Sequence, residues 1–359
     1  MLGFSIYPEN HSLEKMQAYL DLLHRYQANR IFISLLQIDP SNQEVVEKYQ
    51  AIIDYANRQG MVVIADMNPT LIKEFQWQDD LAKHLHDWGI KGVRLDESLD
   101  RKAIVELTHN PYDIKVELNM STDLDTLLEL LNQPIKKENI IGCHNFYPHK
   151  FTGLSVEHFL RMSESYKEKE IETAAFINSQ KATEGPWPVS EGLCTVEDYR
   201  DLPLADQYQI IQATGLIDHI IIANQFVSEE ELQELAAVKG DELYFKVELV
   251  DDVTPVEEKI IDYPHVYRGD ISDYVVRSTW PRVKYGQESI PNRQQEKTVE
   301  RGMILIDNNH YERYKGELQI ALKSFTISDK TNIVGRIIPE QLPLLAYLKP
   351  WQEFRLIRK

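Results

Sequence analysis

The stretch that decides the fold holds three short apolar runs, MVVIADMNP (residues 61–69), KGVRLDES (91–98) and IKVELNMST (114–122). Apolar runs of about four to six residues, bounded by Gly, Pro or polar residues, are typical of strands buried on both faces. Helical patterns separate the runs, so we expect the strands to be parallel. Because such sheets bind ligands at the carboxyl ends of their strands, the polar residues that end each run are the candidates for function.

Similar runs recur along the first two thirds of the chain. They are LGFSIYP (2–8), RIFISLL (30–36), the three runs above, IIGCHNFYP (140–148), IETAAFINS (171–179) and HIIIANQFV (219–227). Eight strand–helix units in about 240 residues match a (β/α)8 TIM barrel better than an open doubly wound sheet. The predicted fold class is therefore α/β, with a barrel domain over residues 1–240.

The pattern changes after Gly240. Short alternating runs such as GMILIDN (302–308) and EFRLIRK (353–359) are separated by turn signals such as SDKTN (328–332). This pattern is typical of β structure. We predict a second, all-β domain over residues 241–359.

Composition limits the partners and the compartment. The 359 residues carry 39 basic and 57 acidic side chains, a net charge of −18, which disfavours nucleic acid or an anionic membrane as the main partner. No apolar stretch approaches the roughly 18 residues needed to span a bilayer, and the first apolar run starts at residue 2 without a leader pattern. Only two cysteines occur, which fits a reducing compartment. We expect a cytoplasmic protein; the sequence leaves a homo-oligomer open.

The strand ends supply four candidate catalytic carboxylates, Asp66, Asp96, Glu97 and Glu117. Like charges gathered at a barrel mouth push their pKa values apart, so that one acid stays protonated while another is ionised, as cleavage of a glycosidic bond requires. The alternative is that Arg94, which shares a strand face with Asp96, neutralises Asp96 or Glu117 in a buried salt-bridge network.

The other strand ends suit a polyhydroxylated ligand, because amide, hydroxyl and similar side chains can donate to and accept from sugar hydroxyls. The candidate substrate-binding residues at these ends are Tyr7, Asn68, Arg94, Asn119, His144, Asn145, Asn178, Asn224 and Gln225. His144 could also serve as a base or a ligand, although a lone histidine is more often a packing residue.

Neither a metal nor a cofactor is expected. The first strand lacks the paired histidines of barrel metal hydrolases, and no glycine-rich phosphate loop occurs. No strand ends in a lysine that could form a Schiff base.

Two further segments carry candidate binding groups. Residues 179–195 form a long loop that we expect to fold over the barrel mouth, with Lys181 and Trp187 as binding residues; a surface insertion is the alternative. In the second domain, Arg268 and Arg277 are candidates for an anionic group such as phosphate, unless each pairs with Asp270 or Asp273.

Longer motifs carry a resemblance to a known family. The segments ADMNP (65–69), VRLDES (93–98), VELNMST (116–122), GCHNFYPHKFTGLS (142–155) and AAFINSQKATEGPWPVSEGLCTVEDYR (174–200) closely resemble the MupG-type 6-phospho-N-acetylmuramidases of glycoside hydrolase family 170, formerly an uncharacterised "outer surface protein" family. The resemblance covers essentially the whole chain.

The resemblance implies a barrel followed by a cyclophilin-like domain. It also implies a cytoplasmic hydrolase that splits N-acetylmuramic acid 6-phosphate from N-acetylglucosamine in a disaccharide, during peptidoglycan recycling. The adjacent Asp96 and Glu97 further resemble the Asp-Glu pair of barrel hexosaminidases, in which Glu protonates the leaving oxygen and Asp orients the 2-acetamido group of the sugar.

Two other classes of function stay open at this point. A barrel isomerase or lyase on sugar phosphates would use the same acids, and a non-catalytic saccharide-binding protein would need only their hydrogen bonds.

Overall fold

A computed structural model of the chain describes residues 1–95, 100–122, 124–187, 191–238, 240 and 242–359. The chain forms two compact units, Met1–Ala236 and Ala237–Lys359. The boundary proposed from the sequence, between residues 240 and 241, lies a few residues further along.

The first unit is a closed barrel of eight parallel strands in sequence order. The strands are β1 (Leu2–Ile6), β2 (Arg30–Ser34), β3 (Val62–Met67), β4 (Gly92–Leu95), β5 (Lys115–Asn119), β6 (Ile140–Cys143), β7 (Glu172–Ile177) and β8 (His219–Ile222). Every residue of β2 and β8 is buried, as expected for strands covered on both faces. The predicted TIM barrel is confirmed.

Nine helices accompany these strands among the described residues. They are α1 (Leu13–Arg25), α2 (Gln43–Arg58), α3 (Pro69–Glu74), α4 (Leu81–Asp87), α5 (Arg101–Thr108), α6 (Asp125–Leu131), α7 (Val156–Glu168), α8 (Leu204–Thr214) and α9 (Glu229–Ala237). Ser12 and Ser155 accept backbone N–H bonds at the starts of α1 and α7. Gly60 and Gly89 adopt positive φ angles of 80° and 75° just beyond α2 and α4, a conformation that favours glycine.

The second unit is mostly strand. Its strands are β9 (Leu243–Leu249), β10 (His265–Val266), β11 (Val275–Ser278), β12 (Thr298–Val299), β13 (Met303–Asp307), β14 (Leu318–Ala321), β15 (Phe325–Thr326), β16 (Thr331–Ile337) and β17 (Glu353–Arg358). Seven of them form one sheet in the order β10-β17-β9-β16-β13-β14-β11, and β12 pairs with β15. The predicted β-rich second domain is confirmed.

The second unit also contains two short helices, α10 (Pro255–Ile261) and α11 (Trp280–Tyr285), which the alternating pattern did not predict. At the start of α10, Thr254 and Glu257 form a reciprocal capping box. The signal for that helix, T-P-V-E, is therefore present in the sequence.

Cys143 and Cys194 are both free and buried in the barrel unit. Burial raises the pKa of each thiol, that of Cys194 to about 12. Among the described residues, no helix is long and apolar enough to cross a membrane.

Candidate active site

A row of polar residues runs across four neighbouring strands of the barrel. The register aligns Ser34 of β2 with Asp66 of β3, Asp66 with Arg94 of β4, and Arg94 with Glu117 of β5. Neighbouring strands lie roughly 4.8 Å apart, so Asp66 is one strand from Arg94 and two strands from Glu117. An arginine therefore stands between the two carboxylates that were predicted to interact.

Glu117 is buried, with 1% of its surface exposed, and it is ion-paired to both Arg30 and Arg94. Burial would raise the pKa of Glu117, but the two guanidinium groups outweigh it and hold that pKa below its usual value. The two ion pairs agree with the buried salt-bridge network that was the alternative weighed from the sequence. A catalytic role of Glu117 stays a prediction.

Arg94 connects that network to the barrel mouth. Its guanidinium donates to the Cys143 carbonyl at 3.3 Å and to the side chain of Asn145. Burial opposes the charged form of Arg94, but neighbouring groups, including Glu117 and Asp66, outweigh it and raise the pKa. Arg94 thus presents a fixed positive charge beside Asp66.

Asp66 lies at the end of β3 and lines a cavity of about 220 Å³. The same cavity is lined by Arg94 and Asn145, both predicted substrate-binding residues, and by Tyr7. Of the two candidate carboxylates within the described residues, Asp66 and Glu117, Asp66 is the one that lines a cavity. Asp96 and Glu97 lie outside the described residues, and their catalytic roles stay predictions.

A second cavity of about 620 Å³ lies at the same mouth. It shares four lining residues with the smaller one, namely Tyr7, Gln37, Pro186 and Trp187. Its other lining residues are Glu9, Asn10, His11, Thr183, Glu184 and Gly185. The loop predicted to cover the barrel mouth therefore contributes residues 183–187 to the lining of the cavities.

Four predicted binding residues are buried and bonded within the protein. Both ring nitrogens of His144 contact serine hydroxyls, of Ser121 at 3.2 Å and Ser163 at 3.0 Å, and burial lowers the pKa of His144 to about 3. The amides of the other three bond mainly to neighbouring loops and strands; these residues are Asn178, Asn224 and Gln225. Their contact with substrate stays a prediction, and the geometry favours a role in holding the mouth together.

The remaining predicted binding residues of the barrel form hydrogen bonds or ion pairs within the barrel unit. The Tyr7 hydroxyl donates to the Ala223 carbonyl at 2.8 Å. Asn68 accepts the Leu71 N–H at 2.8 Å as the cap of α3, and Asn119 accepts the Ser121 N–H at 2.9 Å. Lys181 is exposed and ion-paired to Glu230, which raises the pKa of the lysine.

The predicted phosphate-binding arginines belong to the second unit and already have carboxylate partners. Arg268 donates through two nitrogens to Asp270, each at 2.7 Å. Arg277 donates to buried Glu317 at 2.7 Å and also contacts Asp270 at 3.5 Å. A phosphate would have to compete with these carboxylates, so the role of both arginines stays a prediction.

The predicted set did not include Glu184 and Gln37, which line the cavities. Glu184 sits in the loop that was predicted to close over the mouth, within TEGPWP (183–188), and this position was the available signal. Gln37 follows the second apolar run by one residue. Among the described residues, no group of three or more histidine, cysteine, aspartate or glutamate side chains is arranged to hold a metal ion.

Comparison with known proteins matches both units to one family. The sequence model for the N-terminal part of 6-phospho-N-acetylmuramidase matches residues 2–237, and the model for the C-terminal part matches residues 243–357. The chain belongs to the 6-phospho-N-acetylmuramidase family. Its members are glycoside hydrolases, so the chain is a glycosidase that acts on a small sugar substrate.

Solved structures share the whole architecture. An uncharacterized protein of B. cereus is 42% identical, with a TM-score of 0.88 over 99% of each chain. A conserved protein of unknown function from Enterococcus faecalis is 23% identical, with a TM-score of 0.77 over 100% of this chain and 96% of its own, and it shows the fold alone. No curated protein matches the chain.

Proposed function

We propose that this enzyme hydrolyses the β-1,4 bond between N-acetylmuramic acid 6-phosphate and N-acetylglucosamine, with Asp66 as an essential carboxylate. The observation that carries the proposal is the position of Asp66, which lines an open cavity at the barrel mouth with the fixed charge of Arg94 beside it. A guanidinium group attracts a neighbouring carboxylate electrostatically. We propose that Asp66 acts as nucleophile or base, or orients the 2-acetamido group of the sugar.

The proton donor is proposed to come from the end of the neighbouring strand. Asp96 and Glu97 directly follow β4, which pairs with β3 at Asp66. Carboxyl groups about 5 Å apart would predict retention of configuration, and groups roughly 6.5–9.5 Å apart would predict inversion. A substrate-assisted reaction, in which the acetamido group attacks the anomeric carbon, remains the alternative for the same residues.

Substitution of Asp66 tests the proposal. We expect Asp66→Asn to lower kcat by about 10³-fold or more while the circular dichroism spectrum and melting temperature stay close to those of the wild type. The control is Asp39→Asn. Asp39 is an exposed aspartate that follows the neighbouring strand β2 and accepts a hydrogen bond from Ser41. Full turnover of the phosphorylated disaccharide by Asp66→Asn would contradict the proposal.

Product analysis separates hydrolysis from the other classes of function. Hydrolysis in isotopically labelled water would release two sugars and place one labelled oxygen on N-acetylmuramic acid 6-phosphate. An isomerase or lyase would not incorporate that oxygen, and a binding protein would release no product.

We propose that the 6-phosphate binds either Lys181 or the Arg268 and Arg277 region. Lys150 is a less favoured candidate. Each of these cations has a carboxylate partner, and Lys150 lies 3.6 Å from Asp201. If the arginines bind phosphate, Arg268→Ala and Arg277→Ala should each raise KM by about tenfold, because a charge-assisted hydrogen bond is lost. An unchanged KM in both variants would show that the phosphate binds elsewhere.

We also propose a cytoplasmic role in peptidoglycan recycling. A phosphorylated disaccharide is charged and does not cross a bilayer unaided, so an enzyme that consumes it belongs in the compartment where the phosphate is added. The net charge of −18 suits a partner that is a small molecule and not a nucleic acid.

A further inference from the structure

We propose that Trp187 is the wall shared by two sugar subsites, so that one ring of the disaccharide occupies each cavity and packs against a side of the indole. This inference rests on the proposed function, because it takes a disaccharide as the substrate. It goes further by placing the two rings on either side of Trp187, which the sequence indicated only as a binding residue of the loop.

The position of Trp187 in the barrel mouth is the first observation. The indole lines both the 220 Å³ cavity and the 620 Å³ cavity. It is 52% exposed, although a tryptophan has much apolar surface to bury. An apolar ring left half open inside a polar mouth is suited to contact the C–H faces of sugar rings, while the surrounding polar groups bind hydroxyls.

Trp187 lies three residues after Glu184, which hydrogen-bonds to other parts of the barrel unit. Glu184 accepts hydrogen bonds from His11 at 2.5 Å and from the Gln225 side chain at 3.2 Å. The Gln225 backbone N–H donates to the Glu184 carbonyl at 3.0 Å, and the Gln225 side chain bonds in turn to the backbone of Tyr7.

These contacts attach the loop to the segments that follow β1 and β8. Hydrogen bonds that hold Glu184 in place reduce the entropy that the neighbouring residues lose when a sugar binds. Glu184 is therefore a positioning residue for Trp187.

The two cavities differ in their charged groups, and this difference assigns the rings. Asp66 lines the smaller cavity, so the ring that is attacked, N-acetylmuramic acid 6-phosphate, has its anomeric carbon there. The larger cavity is lined by Glu9, His11 and Glu184. Its carboxylates would repel a phosphorylated sugar and accept hydrogen bonds from hydroxyls, so the uncharged leaving sugar, N-acetylglucosamine, belongs there.

Tryptophan fluorescence tests the proposal without any turnover. The two product sugars are titrated separately into the wild type, Trp187→Phe and the control Trp280→Phe. Trp280 is a similarly exposed tryptophan of the second unit, at 57%. Each sugar should change the emission of the wild type and of Trp280→Phe, and both changes should disappear in Trp187→Phe, which keeps an aromatic ring in place.

Calorimetry with Trp187→Ala gives the energetic side of the test. We expect the affinity for each sugar to fall by about tenfold, since most of one apolar contact surface is removed. The two product sugars should also bind together without competing, because they occupy different cavities.

Three results would overturn the proposal. They are a wild-type emission that responds to neither sugar, an emission change that persists in Trp187→Phe, and wild-type affinity for both sugars in Trp187→Ala. Failure of the proposed function would look different, since the labelled-water assay would then find no hydrolysis even if Trp187 responds to both sugars.

Discussion

At the scale of single residues, the two described carboxylates Glu117 and Asp66 differ in the charged groups that surround them. Glu117 and Asp66 follow similar apolar runs, yet one is enclosed by two arginines and the other lines a cavity. The difference arises because Arg30, at the start of β2, extends its side chain to Glu117 inside the barrel. Two chemically similar acids thus have different surroundings, one paired with buried cations and one beside open space.

Removing the charge of Glu117 should destabilise the barrel. Glu117→Gln removes the carboxylate with which buried Arg30 and Arg94 both pair, and we expect the free energy of unfolding in urea to fall by about 3–5 kcal/mol. The matched control is Glu129→Gln, which breaks an exposed ion pair with Arg101 and should cost less than about 1 kcal/mol. Equal losses in both variants would mean that the buried network contributes no more than a surface pair.

At the scale of elements, the ion pair between Glu197 and Arg200 contacts two of the loops around the mouth. Glu197 accepts the backbone N–H groups of Phe151 at 2.7 Å and Gly153 at 2.7 Å, and it pairs with Arg200. The Arg200 hydrogen bond, together with the two N–H donors, lowers the pKa of Glu197 to about 2 despite partial burial. Arg200 also donates to the carbonyls of Tyr147 at 2.9 Å and Glu191 at 2.9 Å, so it contacts both loops.

Loss of this pair should loosen the loop after β6. In Glu197→Ala, we expect the amides of Phe151 and Gly153 to exchange with deuterium about tenfold faster or more, because both lose their acceptor. Glu191→Ala serves as the control, since it removes one acceptor, that of the Lys150 N–H at 3.0 Å. If the exchange rates in Glu197→Ala equal those of the control, Glu197 does not hold the loop after β6 in place.

Elements were predictable from the sequence to the extent that their signals are local. The eight apolar runs gave the barrel, because strands buried on both faces need uninterrupted aliphatic residues. The surroundings of Glu117 were not predictable, since Arg30 lies 87 residues away in the chain and only the closed barrel brings it near. The positions of the Glu184 and Trp187 side chains were not predictable for a different reason. A loop has no periodicity that fixes where its side chains point.

At the scale of the whole molecule, many of the acidic side chains face water, but the described part of the second unit encloses carboxyl groups that include Glu257, Asp307 and Glu317. Asp307 is 2% exposed and accepts hydrogen bonds from Thr331 at 2.8 Å and Gln319 at 3.1 Å. Burial raises its pKa to about 7, and nearby Glu317 adds to the shift. The folded second unit therefore holds a proton that the unfolded chain releases near pH 4.

This proton makes stability depend on pH in a defined direction. The contribution of protonated Asp307 is fully present below about pH 4 and is lost as pH rises through about 7, so the second unit should lose about 2–3 kcal/mol between pH 5 and pH 8. Asp307→Asn should flatten that dependence in urea unfolding at several pH values. The exposed control Asp273→Asn should retain it, and a wild-type stability that rises from pH 5 to pH 8 would contradict the prediction.

The two thiols offer a further consequence at this scale. Both sit inside the barrel unit, shielded and in their neutral form, and the sequence has no other cysteine. A thiol-specific alkylating reagent would thus label the chain only when the barrel opens, and unfolding confined to the second unit would go unlabelled. Thiol labelling would therefore report on opening of the barrel unit separately from unfolding of the second unit.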